Sequence, residues 1–127
     1  MVKLAPVLML ITLLAGSCKK ENVTTADCAR LQDAMTKNDI PAVQNIVNTL
    51  IGQLASKTHT AGNLNSLVSS INSKCNFNAK VLCFACIETL PEQSEIEISF
   101  LQGFTESKRI IDITEKDNQM AFQNMHE

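Results

Sequence analysis

Near residue 75 the spacing of apolar residues changes from three and four to two, and this switch constrains the fold more than any other feature of the chain. Apolar residues recurring three and four apart define one face of a helix, whereas strict alternation defines a strand. Before the switch the pattern predicts three helices. The first runs from about Ala26 to Asn38, with Cys28, Leu31 and Met35 in line, Ala34 beside them and Asp27 in the first turn. Thr24 or Thr25 caps it, and an acidic residue there favours the positive end of the helix dipole. The second runs from Pro41 to Ala55 behind an Asp39 cap, with Val43, Ile46, Val47, Leu50, Ile51 and Leu54 forming a wide stripe. Pro41 sits in the first turn, where a missing N–H costs nothing. Ser56 to Gly62 is a polar connection, and a third helix from Asn63 to Ser73 carries Leu64, Leu67, Val68 and Ile71. The rest of that helix is Asn and Ser, so packing rather than propensity must hold it.

After the switch the pattern predicts strands. Lys80 to Glu88 is apolar on both faces, Val81, Cys83, Ala85 and Ile87 against Leu82, Phe84 and Cys86, which predicts a central or doubly covered strand. Leu90 to Ser94 turns the chain. Ser94 to Leu101 then alternates, with Ile96, Ile98 and Phe100 inward and Glu95, Glu97 and Ser99 outward. Gly103 marks a turn, Lys108 to Thr114 is a strand built on Ile110, Ile111 and Ile113, and Asp117-Asn118 leads into a short strand from Gln119 to Met125. Helices segregated before an antiparallel meander specify an α+β domain. The expectation is about three N-terminal helices on one face of a three- to four-stranded antiparallel sheet, over residues 26–127. A chain of 127 residues supplies one modest core. Its net charge of −2 and 19% charged residues exclude a basic nucleic-acid binder and a disordered polyelectrolyte.

Residues 1–17 read as a signal peptide. Lys3 is the basic end, Leu4 to Leu14 a short apolar run, and Ala15-Gly16-Ser17 the small residues of a cleavage site. The run is shorter than the roughly 20 apolar residues of a membrane-spanning helix. Cys18 follows, then Lys19-Lys20-Glu21. Leu13-Leu14-Ala15-Gly16-Ser17-Cys18 resembles the lipobox of bacterial lipoproteins, with Ala15 where the stricter pattern prefers Leu. The resemblance covers only the first 20 or so residues. It implies diacylglycerol on the Cys18 thiol, cleavage before Cys18, acylation of the new amino group by a fatty acid such as palmitate, and a lipid-anchored place in the bacterial cell envelope. Two or three acyl chains give lasting attachment at roughly 0.8 kcal/mol per buried CH₂. Residues 18–25 then form the lipidated cysteine and a short tether. Ala15 and Ser17 also suit an ordinary secretory cleavage site, which would leave a soluble protein with a free Cys18.

With Cys18 assigned to lipid, the odd total of five cysteines becomes an even four: Cys28, Cys75, Cys83 and Cys86. An even number in an exported domain predicts structural disulfides. In a regular strand the Cα atoms of Cys83 and Cys86 would lie about 10 Å apart on opposite faces, against about 4.4–6.8 Å in a disulfide. That pairing requires a bulge or break, so the expectation is crossed pairing, with Cys28 and Cys75 each joined to one strand cysteine. The alternative chemistry of Cys83-Phe84-Ala85-Cys86 is thiol–disulfide exchange, although the segment after Cys86 lacks the helix that activates thioredoxin-type thiols. A zinc site from the four cysteines is disfavoured, because only one CxxC unit is present.

Neither histidine has an identifiable nucleophile and acid beside it in sequence; His59, in Lys57-Thr58-His59-Thr60, is expected to be a solvated loop residue, and His126 is penultimate. Glu88, Glu92, Glu95 and Glu97 lack the spacing of a calcium loop and are expected to form a solvated sheet face that discourages edge pairing. Four scattered glycines exclude a phosphate loop. No cofactor, metal or catalytic residue is assigned. The expected function is a non-enzymatic binding domain for an envelope protein or extracellular ligand, contacted through the exposed sheet face or the loops Leu90–Ser94 and Gln102–Ser107. Thiol–disulfide exchange at Cys83/Cys86 and an inhibitor or immunity-type role are the alternatives.

Overall fold

The computed structural model describes residues 25–86 and 92–127. The signal peptide, Cys18, the tether up to residue 24 and the segment 87–91, with Glu88 and Leu90, lie outside the described residues. Three helices, α1 (Thr25–Lys37), α2 (Ile40–Gly52) and α3 (Ala61–Cys75), precede four strands, β1 (Asn78–Cys83), β2 (Ser94–Gln102), β3 (Thr105–Lys116) and β4 (Gln119–His126). The strands form one antiparallel sheet in sequential order, with the helices packed on one face. The α+β architecture read from the change of period is the one observed.

Each helix stops or starts where its local chemistry requires. Asn38, in the left-handed region at φ 56°, ends α1. Asp39 caps α2, its side chain accepting from the Ala42 N–H, and Thr60 Oγ1 accepts from the Asn63 N–H at 3.1 Å to cap α3. Asn76, also left-handed at φ 57°, closes α3. One residue type thus ends two helices, since Asn tolerates positive φ better than other residues with a Cβ.

The sheet is a meander of hairpins. Gly103, at φ +66°, is the first of two residues linking Gln102 to its partner Thr105. Asp117 and Asn118, both at positive φ, link Lys116 to Gln119, as a type I′ turn demands. Ile96 and Ile98 from β2, Ile111 and Ile113 from β3, and Met120, Phe122 and Met125 from β4 face the helices. They meet Leu31 and Met35 of α1, Val43, Val47, Leu50 and Ile51 of α2, and Leu64, Leu67 and Ile71 of α3 in a single core.

Polar groups tie the layers together where apolar contact alone would let them slide. The Asn72 side chain of α3 accepts from the Ala79 N–H at 2.6 Å and donates to the Ala79 carbonyl at 2.9 Å. Asn48 of α2 accepts from the Phe122 N–H at 2.9 Å, beside the β4 bulge at Gln123. Arg109, buried on the helix-facing side of β3, donates to Asn38 at 3.2 Å and lies over the Phe100 ring.

Two expectations for the sheet are corrected. The doubly apolar strand is neither central nor long: β1 ends at Cys83 and occupies an edge. The register slips at Leu82, and Ala85 adopts φ 50°, so the chain leaves the sheet. Apolar residues on both sides of a strand do not require burial on both sides, and Leu82 and Phe84 remain partly exposed. Glu95 and Glu97 lie on β2, which is paired on both sides, so they do not guard an edge.

A candidate site around the Cys83–Cys86 corner

Cys28 bonds to Cys75, and Cys83 bonds to Cys86. All four cysteines are therefore in disulfides, but the crossed pairing is corrected. The bulge at Leu82 and the left-handed Ala85 bring the Cα atoms of Cys83 and Cys86 to 5.6 Å, where a regular strand would have held them about 10 Å apart. Cys28 and Cys75 meet because α1 and α3 pack side by side with their cysteines at matching heights, Cα atoms 5.2 Å apart.

The loop formed by Cys83-Phe84-Ala85-Cys86 is held from beneath by residues distant in sequence. The Ala85 N–H donates to Ser94 Oγ at 2.9 Å. That hydroxyl also shares a hydrogen bond with His59 Nε2 at 2.9 Å. The other ring nitrogen of His59 lies 3.7 Å from a Glu115 carboxylate oxygen, and the imidazole packs against Phe84 with ring centroids 4.8 Å apart. His59 is thus buried rather than solvated, because the loop carrying it is pinned under the sheet. The Met120 N–H donates to the Lys57 carbonyl at 2.7 Å two residues before it.

Serine, imidazole and carboxylate occur here in the order used by hydrolases. Ser94, however, has 0% exposure, and its oxygen is occupied by Ala85 and His59. A nucleophile needs surface that a substrate can reach, so this trio acts as a clamp on the disulfide loop.

Above the clamp, on the face of the sheet away from the helices, lie the groups with ligating chemistry. Cys86 is exposed, and Cys83 Sγ lies 3.7 Å from a Glu95 carboxylate oxygen. Glu95 is the direct cross-strand partner of Asp112, and His126 Nε2 is 3.2 Å from Asp112 Oδ1. Donor atoms of Cys83, Cys86 and Glu95 lie within 4.8 Å of one another, as do those of Glu95, Asp112 and His126. Glu92, Glu95 and Glu97 of the expected solvated face are half-buried, and Asp112 beside Glu95 is buried.

Of the expected contact loops, residues 90 and 91 lie outside the described residues and Ser94 is buried. The β2–β3 turn does present a fully exposed Phe104 beside an exposed Leu101. A separate groove between α2 and β4, about 470 Å³, is lined by polar side chains that include Gln44, Asn48, Lys57 and Lys116. Sequence reasoning missed Asp112 and His126 as neighbours of Glu95, and only the β2–β3–β4 register brings them together. No described helix is long and apolar enough to cross a membrane. No family model matches the chain, and no curated protein or solved structure is significantly similar to it.

Proposed function

We propose that the protein is a lipid-anchored component of the bacterial cell envelope, attached through Cys18, whose disulfide-stapled α+β domain binds another envelope protein or an extracellular ligand. Cysteine parity carries this reading. Cys28 pairs with Cys75 and Cys83 with Cys86, so the domain satisfies its own cysteines and asks nothing of the fifth, which stands in the lipobox-like segment at Cys18. Paired cysteines also suit an oxidising compartment. The binding surface in this reading is the uncovered sheet face with the Phe104 turn.

Intact mass spectrometry of the mature protein, unreduced and reduced, tests the proposal. The expected species begins at Cys18, carries acyl mass and gains two hydrogens per bridge on reduction. A chain beginning at Cys18 without acyl mass, or one that keeps residues 1–17, would reject the anchor.

The short bridge favours a second reading, thiol–disulfide exchange at Cys83/Cys86, because Cys86 is exposed beside Glu95. Equilibration with dithiol buffers separates the two. Exchange requires the Cys83–Cys86 bridge to open under mild reduction while Cys28–Cys75 stays closed, and a pair that resists reduction removes the reading.

A further inference from the structure

Three consecutive strands bring donors of mixed chemistry to one point on the uncovered face. Glu95 of β2 and Asp112 of β3 are direct partners, and His126 of β4 pairs with Ile110, so its ring stands diagonal to Asp112. Like charges placed directly opposite each other on a sheet repel. Among the described residues, no lysine or arginine forms an ion pair with either carboxylate; Asp112 Oδ1 instead meets His126 Nε2 at 3.2 Å. The Asp112 side chain is nevertheless only 10% exposed. A buried carboxylate needs a positive partner or several hydrogen bonds. Two facing carboxylates and an imidazole nitrogen thus converge to within 4.8 Å of one another, a donor set that a divalent cation would bridge and neutralise.

One imidazole nitrogen and two carboxylates suit a borderline divalent ion such as Zn²⁺ better than Ca²⁺ or Mg²⁺, which favour all-oxygen sets. On the other side of Glu95, the sulfurs of Cys83 and Cys86 form a second donor group that shares this glutamate. We propose that Glu95, Asp112 and His126 form a binding site for a divalent transition-metal ion, and that opening the Cys83–Cys86 bridge adds two thiolates beside the shared Glu95 and strengthens binding. In the opening step a dithiol reductant supplies two electrons and two protons. The Cys83–Cys86 bond breaks, two thiols form, and the reductant closes its own disulfide. Metal binding then displaces the thiol protons to water. The site is independent of the anchor at Cys18.

The test is a Zn²⁺ titration of the full chain purified in detergent, in competition with a chromophoric chelator. It is done on the oxidised protein and again after reduction by a water-soluble phosphine, which takes oxygen from water as each sulfur gains a hydrogen. The oxidised chain is expected to bind saturably. Loss of one ligand in His126→Ala or Asp112→Asn should weaken binding at least about tenfold, since even residues behind the ligands are worth that much. His126 is exposed, so its variant reports binding even where Asp112→Asn perturbs the fold. Reduction should tighten binding, and the Cys83→Ser/Cys86→Ser variant should lose that gain. No saturable binding by the oxidised chain, or binding unaffected by His126→Ala, overturns the site. Equal affinity before and after reduction overturns the role of the thiolates.

Discussion

Ser94 illustrates how much one hydroxyl can organise. It accepts from the Ala85 N–H and meets His59 Nε2, so two segments far apart in sequence rest on a single oxygen. Ser94→Ala strands both partners, and a buried group left unpaired costs about 1–3 kcal/mol. Urea unfolding should show that loss, together with easier reduction of Cys83–Cys86 as its supporting loop loosens. Asn72 does the same for the α3–β1 junction, where its amide satisfies both backbone groups of Ala79. Asn72→Ala is expected to cost about 1–3 kcal/mol, measured in the same way. Neither residue announced itself in the sequence. A Ser at the start of a strand and an Asn on a helix are ordinary, and their importance comes from what lies opposite them in space.

At the scale of elements, the two disulfides do different work. Cys28 and Cys75 are separated by 47 residues and Cys83 and Cys86 by 3. Closing the longer loop restricts the unfolded chain more, about 4 kcal/mol against about 2 kcal/mol on chain-entropy grounds. Cys28→Ser/Cys75→Ser should therefore lower the Tm more than Cys83→Ser/Cys86→Ser, as followed by circular dichroism. A larger loss from the second pair would mean that the short bridge holds the β1 end of the sheet. The helices themselves were legible because their stripes, caps and the Pro41 start are local features. The same local reasoning failed for β1. An unbroken apolar run continues past Cys83 in sequence, but the bulge at Leu82 and the left-handed Ala85 take the chain out of the sheet.

Across the described residues, the helices cover one face of the sheet and leave the other uncovered. Substitutions should divide accordingly. Ile111→Ala, at 0% exposure in the shared core, is expected to cost about 2–5 kcal/mol. Phe104→Ser, at the exposed turn, should leave stability within about 0.5 kcal/mol. If the turn is a contact surface, that same variant should lose partner binding while its unfolding curve stays unchanged, and retained binding would remove Phe104 from the interface. The fold class, the three helices and the three hairpin-linked C-terminal strands could be read directly, because helical and strand periodicities are properties of neighbouring residues. The order of the strands also followed from short connections.

From sequence alone came the change of period at residue 75 and the α+β architecture it implies. Which cysteines pair, where His59 rests and which donors surround Glu95 were decided only by tertiary structure. The physical reason is distance along the chain. Periodicity and capping act over three or four residues, whereas a bulge, a shared hydroxyl and a cross-strand diagonal depend on how remote segments register against one another.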